Sequence, residues 1–279
     1  MTTRTLDLGR PLPSLPRNPF GPLATLARRR LHLTVRTRRE LVVPMLTPIL
    51  FALVIAPALQ QALHTSSSYE AYVATGTIGL LIPLNTMFAG LSVLVERESG
   101  AQRELLAAPV PRPLLVLGNL IVAFGVTALQ IGVLIGVARA RGIHFDVAGP
   151  GVLWFVGGAA LFTVGMYGAA ESLAARVPSA EEYISRVPAI AIVPWFLAGS
   201  LFPITALPTF LTWFARFLPL THALALARYG LLNDPSGLHN IWRMHSVPGM
   251  AALSMLVVGA FAAALTAAGI RFFTRSAVG

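Results

Sequence analysis

The sequence predicts an all-α, polytopic membrane protein with six transmembrane helices, an N-terminal interfacial helix and an external helical hairpin before the last span. Hydrophobic residues make up 55% of the chain and charged residues only 11%, whereas soluble domains carry about 25% charged residues. The mean hydropathy is +0.71. Most of six uncharged runs approach or exceed the about 20 residues that a membrane-spanning helix needs. These runs are 41–63, 71–95, 114–138, 152–170, 187–215 and 248–270.

The first 40 residues hold nine arginines and divide into two segments. Residues 1–20 are rich in proline, and we expect a disordered cytoplasmic tail there. Residues 21–40 have the pattern of an amphipathic interfacial helix. Its predicted apolar face contains Leu23, Leu26, Leu31, Leu33 and Val35. Two roles are open: a basic anchor to anionic lipid, or a helix that also meets a cytoplasmic partner.

Residues 41–275 form the predicted six-span transmembrane domain. The fifth run, 187–215, is too long for a single span and is interrupted by prolines, which break or kink helices. We therefore expect a span to about Leu201, followed by a bent or re-entrant piece. The interrupting residues are Pro194, Pro203 and Pro208.

The region 206–247 is the largest external segment of this topology. Its sequence predicts two amphipathic helices that are separated at Pro219. Aromatic residues of the kind enriched at membrane interfaces occur in both helices. We expect the two helices to lie on the outer leaflet, and a lid over an exit path is the alternative.

The arginines predict the orientation of the spans. With the N-terminus inside, sixteen of the 21 arginines fall on the inner side and five on the outer side. The positive-inside rule favours this arrangement. We therefore expect a multi-pass protein of the cell inner (plasma) membrane with both termini in the cytoplasm.

The residues that are missing from the chain exclude several kinds of chemistry. The sequence contains no lysine, so it has no Walker A loop for ATP and no lysine Schiff base. It contains no cysteine, and its histidines lack metal-binding spacing, so we expect no metal site. The net charge of +10 indicates orientation and contact with anionic lipid rather than a nucleic-acid partner. We expect no catalytic residues and no cofactor bound by this chain.

The most informative segment is the charged loop 96–113, which lies between two long apolar runs. Its charged residues allow the pairs Glu98–Arg103 and Arg97–Glu104 within one helix. Leu105 follows Glu104 and, with Leu106, forms an apolar knob. A charged rim around an apolar knob suits docking into a groove of another protein, and a plain solvated loop is the alternative.

Few polar residues interrupt the spans. Asn85, Thr86 and Gln130 are either contacts between helices or residues that face a substrate. Glu171 ends the fourth run near the inner face, where we expect it to snorkel or to pair with Arg176. A proton relay is the alternative for Glu171.

Two groups of residues resemble the export-type permeases of ATP-binding-cassette transporters, and most closely the daunorubicin/doxorubicin-resistance permeases. The first group is Glu96, Arg97, Gly100, Glu104, Leu105, Leu106, Pro109, Val110, Arg112, Leu117 and Gly118. The second group is Gly199, Pro203, Leu207, Pro208, Leu218, Pro219, Leu220, Thr221 and Arg228. The resemblance covers most of residues 20–275. Ala101 stands where the family pattern has threonine, and Asn119 where it has lysine.

The resemblance implies a permease domain over residues 41–275 that lacks its own ATP site. A separate cytoplasmic ATPase would bind ATP and Mg, and a second permease copy or a homologous permease would complete the complex. The loop 96–113 would be the coupling helix seated in the ATPase. Its expected coupling residues are Glu96, Arg97, Glu98, Gly100, Arg103, Glu104, Leu105 and Leu106.

The cargo implied by the resemblance is a hydrophobic small molecule such as a drug, a natural product or a lipid, as in multidrug and antibiotic efflux. Asn85, Thr86, Gln130 and Pro203 are the candidates for the substrate path. An ion-driven secondary transporter is the second hypothesis, but the centres of the spans carry no charge. A lipid-modifying membrane enzyme is the third, and it lacks a clear polar constellation at the interface.

Overall fold

A computed structural model describes the fold of residues 20–36, 45–64, 68–101, 111–146 and 149–276. The described residues form helices and no strands, which confirms the all-α, polytopic prediction. Ten helices account for most of them, and a 3₁₀ turn, Ile204–Ala206, lies between the sixth and seventh. The first five are α1 (Phe20–Arg36), α2 (Met45–Ala62), α3 (Ser68–Glu98), α4 (Arg112–Ala140) and α5 (Val152–Ala174). The others are α6 (Ala180–Leu197), α7 (Thr209–Ala215), α8 (Pro219–Leu232), α9 (Ser236–Trp242) and α10 (Val247–Ser276).

Five of these helices, α2, α3, α4, α5 and α10, are long and apolar enough to cross a membrane. The number rises to six if α7 and α8, which meet at a bend of 78°, count as one broken span. The predicted fifth span corresponds to α6, which begins earlier than expected and ends at Leu197. It is only 18 residues long, and three charged residues lie in its first two turns.

The N-terminal helix α1 packs against α4 rather than lying apart from the bundle. A Cβ atom at Gly118 of α4 would lie 2.9 Å from the Cβ of Leu26, so the two helices touch closely. The face that is covered by protein includes Arg30 and Thr34, whereas Leu31 and its neighbours Leu33 and Val35 are exposed. The predicted apolar face therefore has two parts: Leu26 packs against α4, whereas Leu31, Leu33 and Val35 are exposed. Residues 1–19 and 37–40 of the predicted N-terminal segments lie outside the described residues.

Glycine brings α5 and α10 into close contact at the centre of the bundle. A Cβ atom at Gly168 would lie 2.5 Å from the backbone carbon of Leu265, and one at Gly165 would lie 3.0 Å from the Cα of Ala262. Small residues allow two backbones to approach in this way, and membrane helices commonly use them at their contacts. The position of Glu171 in this fold depends on this contact, because a Cβ atom at Gly269 would lie 3.4 Å from its Cβ.

The region 206–247 differs from the predicted pair of helices on a leaflet surface. Helix α7 fits that prediction, since Phe210, Trp213 and Phe217 are exposed. Helix α8 does not, because nearly all of it is buried against α3, α5 and α10. A Cβ atom at Gly230 would lie 2.6 Å from the carbonyl oxygen of Gly151, so α8 is pressed directly onto the start of α5.

Candidate functional site

The last turn of α3 joins three other elements at one end of the bundle. Glu96, Arg97 and Glu98 are consecutive, and each contacts a different element: α1, the end of α5 and the start of α6. We call these three residues and their partners the junction, and we call the end of the bundle where they lie the basic end. The junction forms the beginning of the segment 96–113, which is predicted to receive another protein.

Glu96 binds two arginines of α1. Its Oε1 atom lies 3.1 Å from Arg30 Nη1 and 3.6 Å from Arg29 Nη1. The other terminal nitrogen of Arg30 donates to the Ser92 hydroxyl, one turn earlier in α3. Arg30 is largely buried, so its charge is compensated by a carboxylate and a hydroxyl within the protein.

Arg97 holds the end of α5. Its guanidinium donates to the carbonyl oxygens of Ala174 at 2.8 Å, Val177 at 2.5 Å and Pro178 at 3.4 Å. The last carbonyl groups of a helix have no partner within the helix, and a cation at that position also complements the helix dipole. Arg97 therefore supplies, from another helix, the cap that the sequence of α5 does not provide.

Glu98 caps the start of α6 with its carboxylate. Its Oε1 atom accepts a hydrogen bond of 2.9 Å from the backbone N–H of Ala180. The Ser179 hydroxyl accepts a second one, of 3.3 Å, from the N–H of Glu182. Both bonds satisfy N–H groups that are unpaired at a helix N-terminus, where negative charge is also favourable.

Gly100 follows the junction with φ of +80°, a conformation that favours glycine. It directs the chain out of α3 toward the remainder of the predicted coupling segment. The other four expected coupling residues lie within residues 102–110, outside the described residues. They are Arg103, Glu104, Leu105 and Leu106. The pairs Glu98–Arg103 and Arg97–Glu104 therefore stay predictions, whereas the described contacts of Glu98 and Arg97 are with other helices.

The candidate substrate-path residues lie in different surroundings. Asn85 donates to the Ala123 carbonyl at 3.2 Å and to the Thr127 hydroxyl, and so it joins α3 to α4. Thr86 is buried and donates to the Ile82 carbonyl of its own helix at 2.9 Å. Gln130 is buried in α4, and its Oε1 atom has no hydrogen-bond partner in the described structure.

Pro203 lies at the opposite end of the bundle, beside a cavity of about 20 Å³. This volume holds about one water molecule. Arg228 of α8 and Tyr72 of α3 line the same cavity. The structure therefore does not bring the four candidates together into one path.

Arg228 is a buried cation whose contacts the sequence did not reveal. Its guanidinium carbon lies 3.4 Å from the centre of the Tyr72 ring, and its Nη2 atom donates to the carbonyls of Gly199 and Ser200 at 2.8 and 3.1 Å. The Tyr72 hydroxyl donates to the same Gly199 carbonyl at 2.8 Å. We call Arg228, Tyr72 and residues 199–200 the clamp. The sequence signals for it were an arginine within an otherwise uncharged stretch of α8 and the occurrence of Gly199 and Arg228 among the residues that carry the family resemblance.

Glu171 departs from its predicted environment. It is 1% exposed and accepts a hydrogen bond from the Tyr167 hydroxyl, so it does not snorkel to the surface. The pair with Arg176 is also wrong, because the Arg176 guanidinium lies 3.7 Å above the Phe272 ring instead. The reason is the close approach of α5 and α10, which covers Glu171 and leaves Arg176 beside an aromatic ring of α10.

Comparison with known families agrees with the resemblance seen in the sequence. A sequence profile described as ABC-2 type transporter matches residues 22–232, which is more than half of the chain. The match begins within α1 and ends at the last residue of α8, so it contains both the junction and the clamp. None of the curated proteins compared with the chain is significantly similar to it. The chain belongs to the ABC-2 type transporter family of membrane permeases.

Proposed function

We propose that this permease exports a hydrophobic small molecule and is driven by a separate cytoplasmic ATPase that docks on residues 96–113. The observation that carries the proposal is the junction. A segment that begins at Glu96 is tied to α1, and the two residues that follow are tied to α5 and α6. A force applied to the loop would pass from α3 to three other helices through three consecutive side chains.

The junction suits this task because its contacts are short and charged. Arg97 binds carbonyls at the end of α5, and Glu98 binds an N–H at the start of α6, so a shift of the α3 end displaces both. Closure of two ATPase subunits on ATP and Mg would push the loops of two permeases together. The spans would then reorient and release the cargo outward. A second copy of this chain or a homologous permease supplies the other half of the path.

The proposed cargo is a drug, a natural product or a lipid, as in the efflux permeases of multidrug and antibiotic resistance. The interior supports an apolar cargo, because the buried polar side chains of the described spans are few and most are satisfied within their own helices. Gln130 is the best candidate for a cargo contact, since its Oε1 atom is buried without a partner. Asn85, Thr86 and Pro203 stay candidates that binding experiments must test.

The proposed location is the inner (plasma) membrane, with the basic end and both termini in the cytoplasm. Sixteen of the 21 arginines belong to segments on this side of the predicted topology. The same orientation gives the loop 96–113 access to a cytoplasmic ATPase. It places the clamp and the aromatic residues of α7 at the outer face.

The decisive experiment purifies the chain with its candidate ATPase and measures substrate-stimulated ATP hydrolysis. Glu104→Arg and the double change Leu105→Ala/Leu106→Ala alter the predicted docking surface. We expect both to reduce co-purification and stimulated hydrolysis by at least about tenfold, because hot spots of an interface contribute about 2 kcal/mol or more.

The matched control is Glu182→Gln. Glu182 is also an acidic residue at the basic end, but it forms an exposed pair with Arg186 within α6. This variant should leave binding and hydrolysis unchanged. If the docking variants behave like this control, or if no ATPase associates with the wild-type chain, the loop is not the docking element.

A further inference from the structure

Glu171 is a buried carboxylate that the proposed docking mechanism does not use. It lies in the last turn of α5, and only one of its carboxyl oxygens has a partner, the Tyr167 hydroxyl. The other oxygen, Oε2, is buried without a hydrogen-bond partner in the described structure. An acidic residue within a membrane segment is costly, and such residues usually have a functional partner.

The surroundings of Glu171 are polar on the side of the junction and tightly packed on the other. Arg30 of α1 and Glu96 of α3 are the charged residues whose electrostatic interaction reaches it. Tyr183 of α6 also faces it, and its hydroxyl donates to the Met87 carbonyl at 2.9 Å.

The remaining neighbours of Glu171 come from α4 and α10. Asn119 of α4 forms a hydrogen bond with Tyr167 and extends the polar group to that helix. Helix α10 contributes the small residue Gly269, against which the Glu171 Cβ packs. Polar groups that surround Glu171 therefore come from α1, α3, α4, α5 and α6.

Arg30 is the one cation in the described structure that interacts with Glu171, and Glu96 already binds it. The distance between Arg30 Nη1 and Glu96 Oε1 is 3.1 Å. Two carboxylates from different helices therefore interact electrostatically with one guanidinium: Glu96 forms the ion pair, and Glu171, which lies beyond ion-pair distance, has a free oxygen. A guanidinium carries five N–H donors in a planar fork, so it can bind either carboxylate.

We propose that Glu171 is the second acceptor of Arg30, and that Arg30 exchanges its pair with Glu96 for a pair with Glu171 when the loop 96–113 draws Glu96 away from α1. Glu171 is then a positioning residue that keeps α1 attached to the bundle in the displaced state. The free Oε2 atom receives the guanidinium, while Tyr167 continues to hold the other oxygen. This inference rests on the proposed movement of the loop.

A double-mutant cycle tests the exchange without requiring an ATPase. Glu96→Gln removes the present partner of Arg30, Glu171→Gln removes the proposed second partner, and the third variant combines both changes. Each replacement keeps the side-chain shape, so that packing is preserved. We expect the melting temperature of the purified chain to fall in the double variant by at least about 2 °C more than the sum of the single variants.

The sign of the deviation decides the test. In Glu96→Gln we expect Glu171 to bind Arg30, which compensates part of the loss in melting temperature. Only the double variant leaves the buried Arg30 without a carboxylate partner. Additive or less than additive losses would overturn the exchange. Glu182→Gln in place of Glu171→Gln serves as the control, because it should add to Glu96→Gln without any deviation.

A second measurement asks whether the exchange serves transport. In the complex with ATPase, we expect Glu171→Gln to bind the ATPase normally but to lose about tenfold or more of substrate-stimulated hydrolysis, and Glu171→Asp to restore part of it. Normal stimulation in Glu171→Gln would overturn the positioning role. If the wild-type chain binds no ATPase, the proposed function fails, whereas the double-mutant cycle still decides the exchange.

Discussion

The junction and the clamp both fix arginines at the ends of α3, but they do so with different chemistry. At the junction, Arg30 binds a carboxylate and a hydroxyl from side chains that can move. At the clamp, Arg228 binds backbone carbonyls and a tyrosine ring, and no carboxylate lies within ion-pair distance of it in the described structure. Side-chain partners can be exchanged, whereas carbonyls of a packed turn cannot. The Arg30 contacts of the junction are therefore suited to movement, whereas the clamp is suited to rigidity, as are the contacts of Arg97 with backbone carbonyls.

The largest effect is expected at the clamp. Arg228→Leu removes the arginine donor from the Ser200 carbonyl and one of two donors from the Gly199 carbonyl, and it removes the contact with the Tyr72 ring. Each hydrogen bond from a charged group contributes about 1.5–3 kcal/mol, so we expect the loss of two such bonds to cost about 3 kcal/mol or more. Thermal unfolding in detergent should show this loss. Arg139→Leu at an exposed position of α4 is the control, and an equal loss in both variants would contradict the rigid clamp.

The next effect concerns the packing of α8 beside the clamp. In Gly230→Ala the new Cβ atom would lie 2.6 Å from the Gly151 carbonyl oxygen and 2.8 Å from the Phe155 nitrogen. Because backbone atoms cannot yield easily, we expect a loss of about 1–3 kcal/mol in thermal unfolding. Gly132→Ala is the matched control, since its Cβ atom meets no other atom within 4 Å. Equal stability of the two variants would show that α8 has room to adjust.

A smaller loss of stability is expected at the junction. Arg97→Gln removes the guanidinium that caps α5, and hydrogen bonds to charged groups contribute about 1.5–3 kcal/mol. Partial solvent access reduces this to about 1–2 kcal/mol. Stimulated ATP hydrolysis should fall more steeply than stability, because the link between the loop and α5 is lost. If Arg97→Gln retained full substrate-stimulated ATP hydrolysis, Arg97 would not take part in the coupling between the loop and the spans.

The smallest effect is expected for the exposed pair Glu182–Arg186 of α6. The two residues are one helical turn apart, and their side chains are 36% and 50% exposed. Exposed pairs at this spacing contribute about 0.3–0.5 kcal/mol. Glu182→Gln should therefore change the unfolding temperature by little, and even less at high salt. A loss comparable to that of Arg97→Gln would mean that any charge at the basic end matters, whatever it contacts.

The spans were predictable because charge stops the apolar runs close to where the helices end. The third run, 114–138, lies within α4 (Arg112–Ala140), and the fourth, 152–170, lies within α5 (Val152–Ala174). The burial of α8 was not predictable in this way. In a membrane protein a lipid-facing helix and a core helix are both apolar, so the pattern of leucine and alanine in α8 does not distinguish them.

The candidate site was predictable in part. The charges of Glu96, Arg97 and Glu98 stand out in the sequence because the runs on both sides are apolar. Their partners do not stand out, because they are distant in the sequence. Arg30 is 66 positions from Glu96, and Ala180 is 82 positions from Glu98. Local spacing allowed the pairs Glu98–Arg103 and Arg97–Glu104 within one helix, and these pairs stay predictions. The described contacts of Arg97 and Glu98 are caps of other helices, which only the tertiary fold can specify.

The caps supplied by Arg97 and Glu98 have a mechanical consequence for the turn between α5 and α6. Arg97 binds the carbonyl of Ala174, the last residue of α5, and the carbonyl of Val177 within the turn, while Glu98 binds the N–H of Ala180 at the start of α6. Adjacent residues of one helix therefore hold both ends of the turn. We expect the turn to be a poor hinge, so that α5 and α6 follow the end of α3 together and do not bend independently.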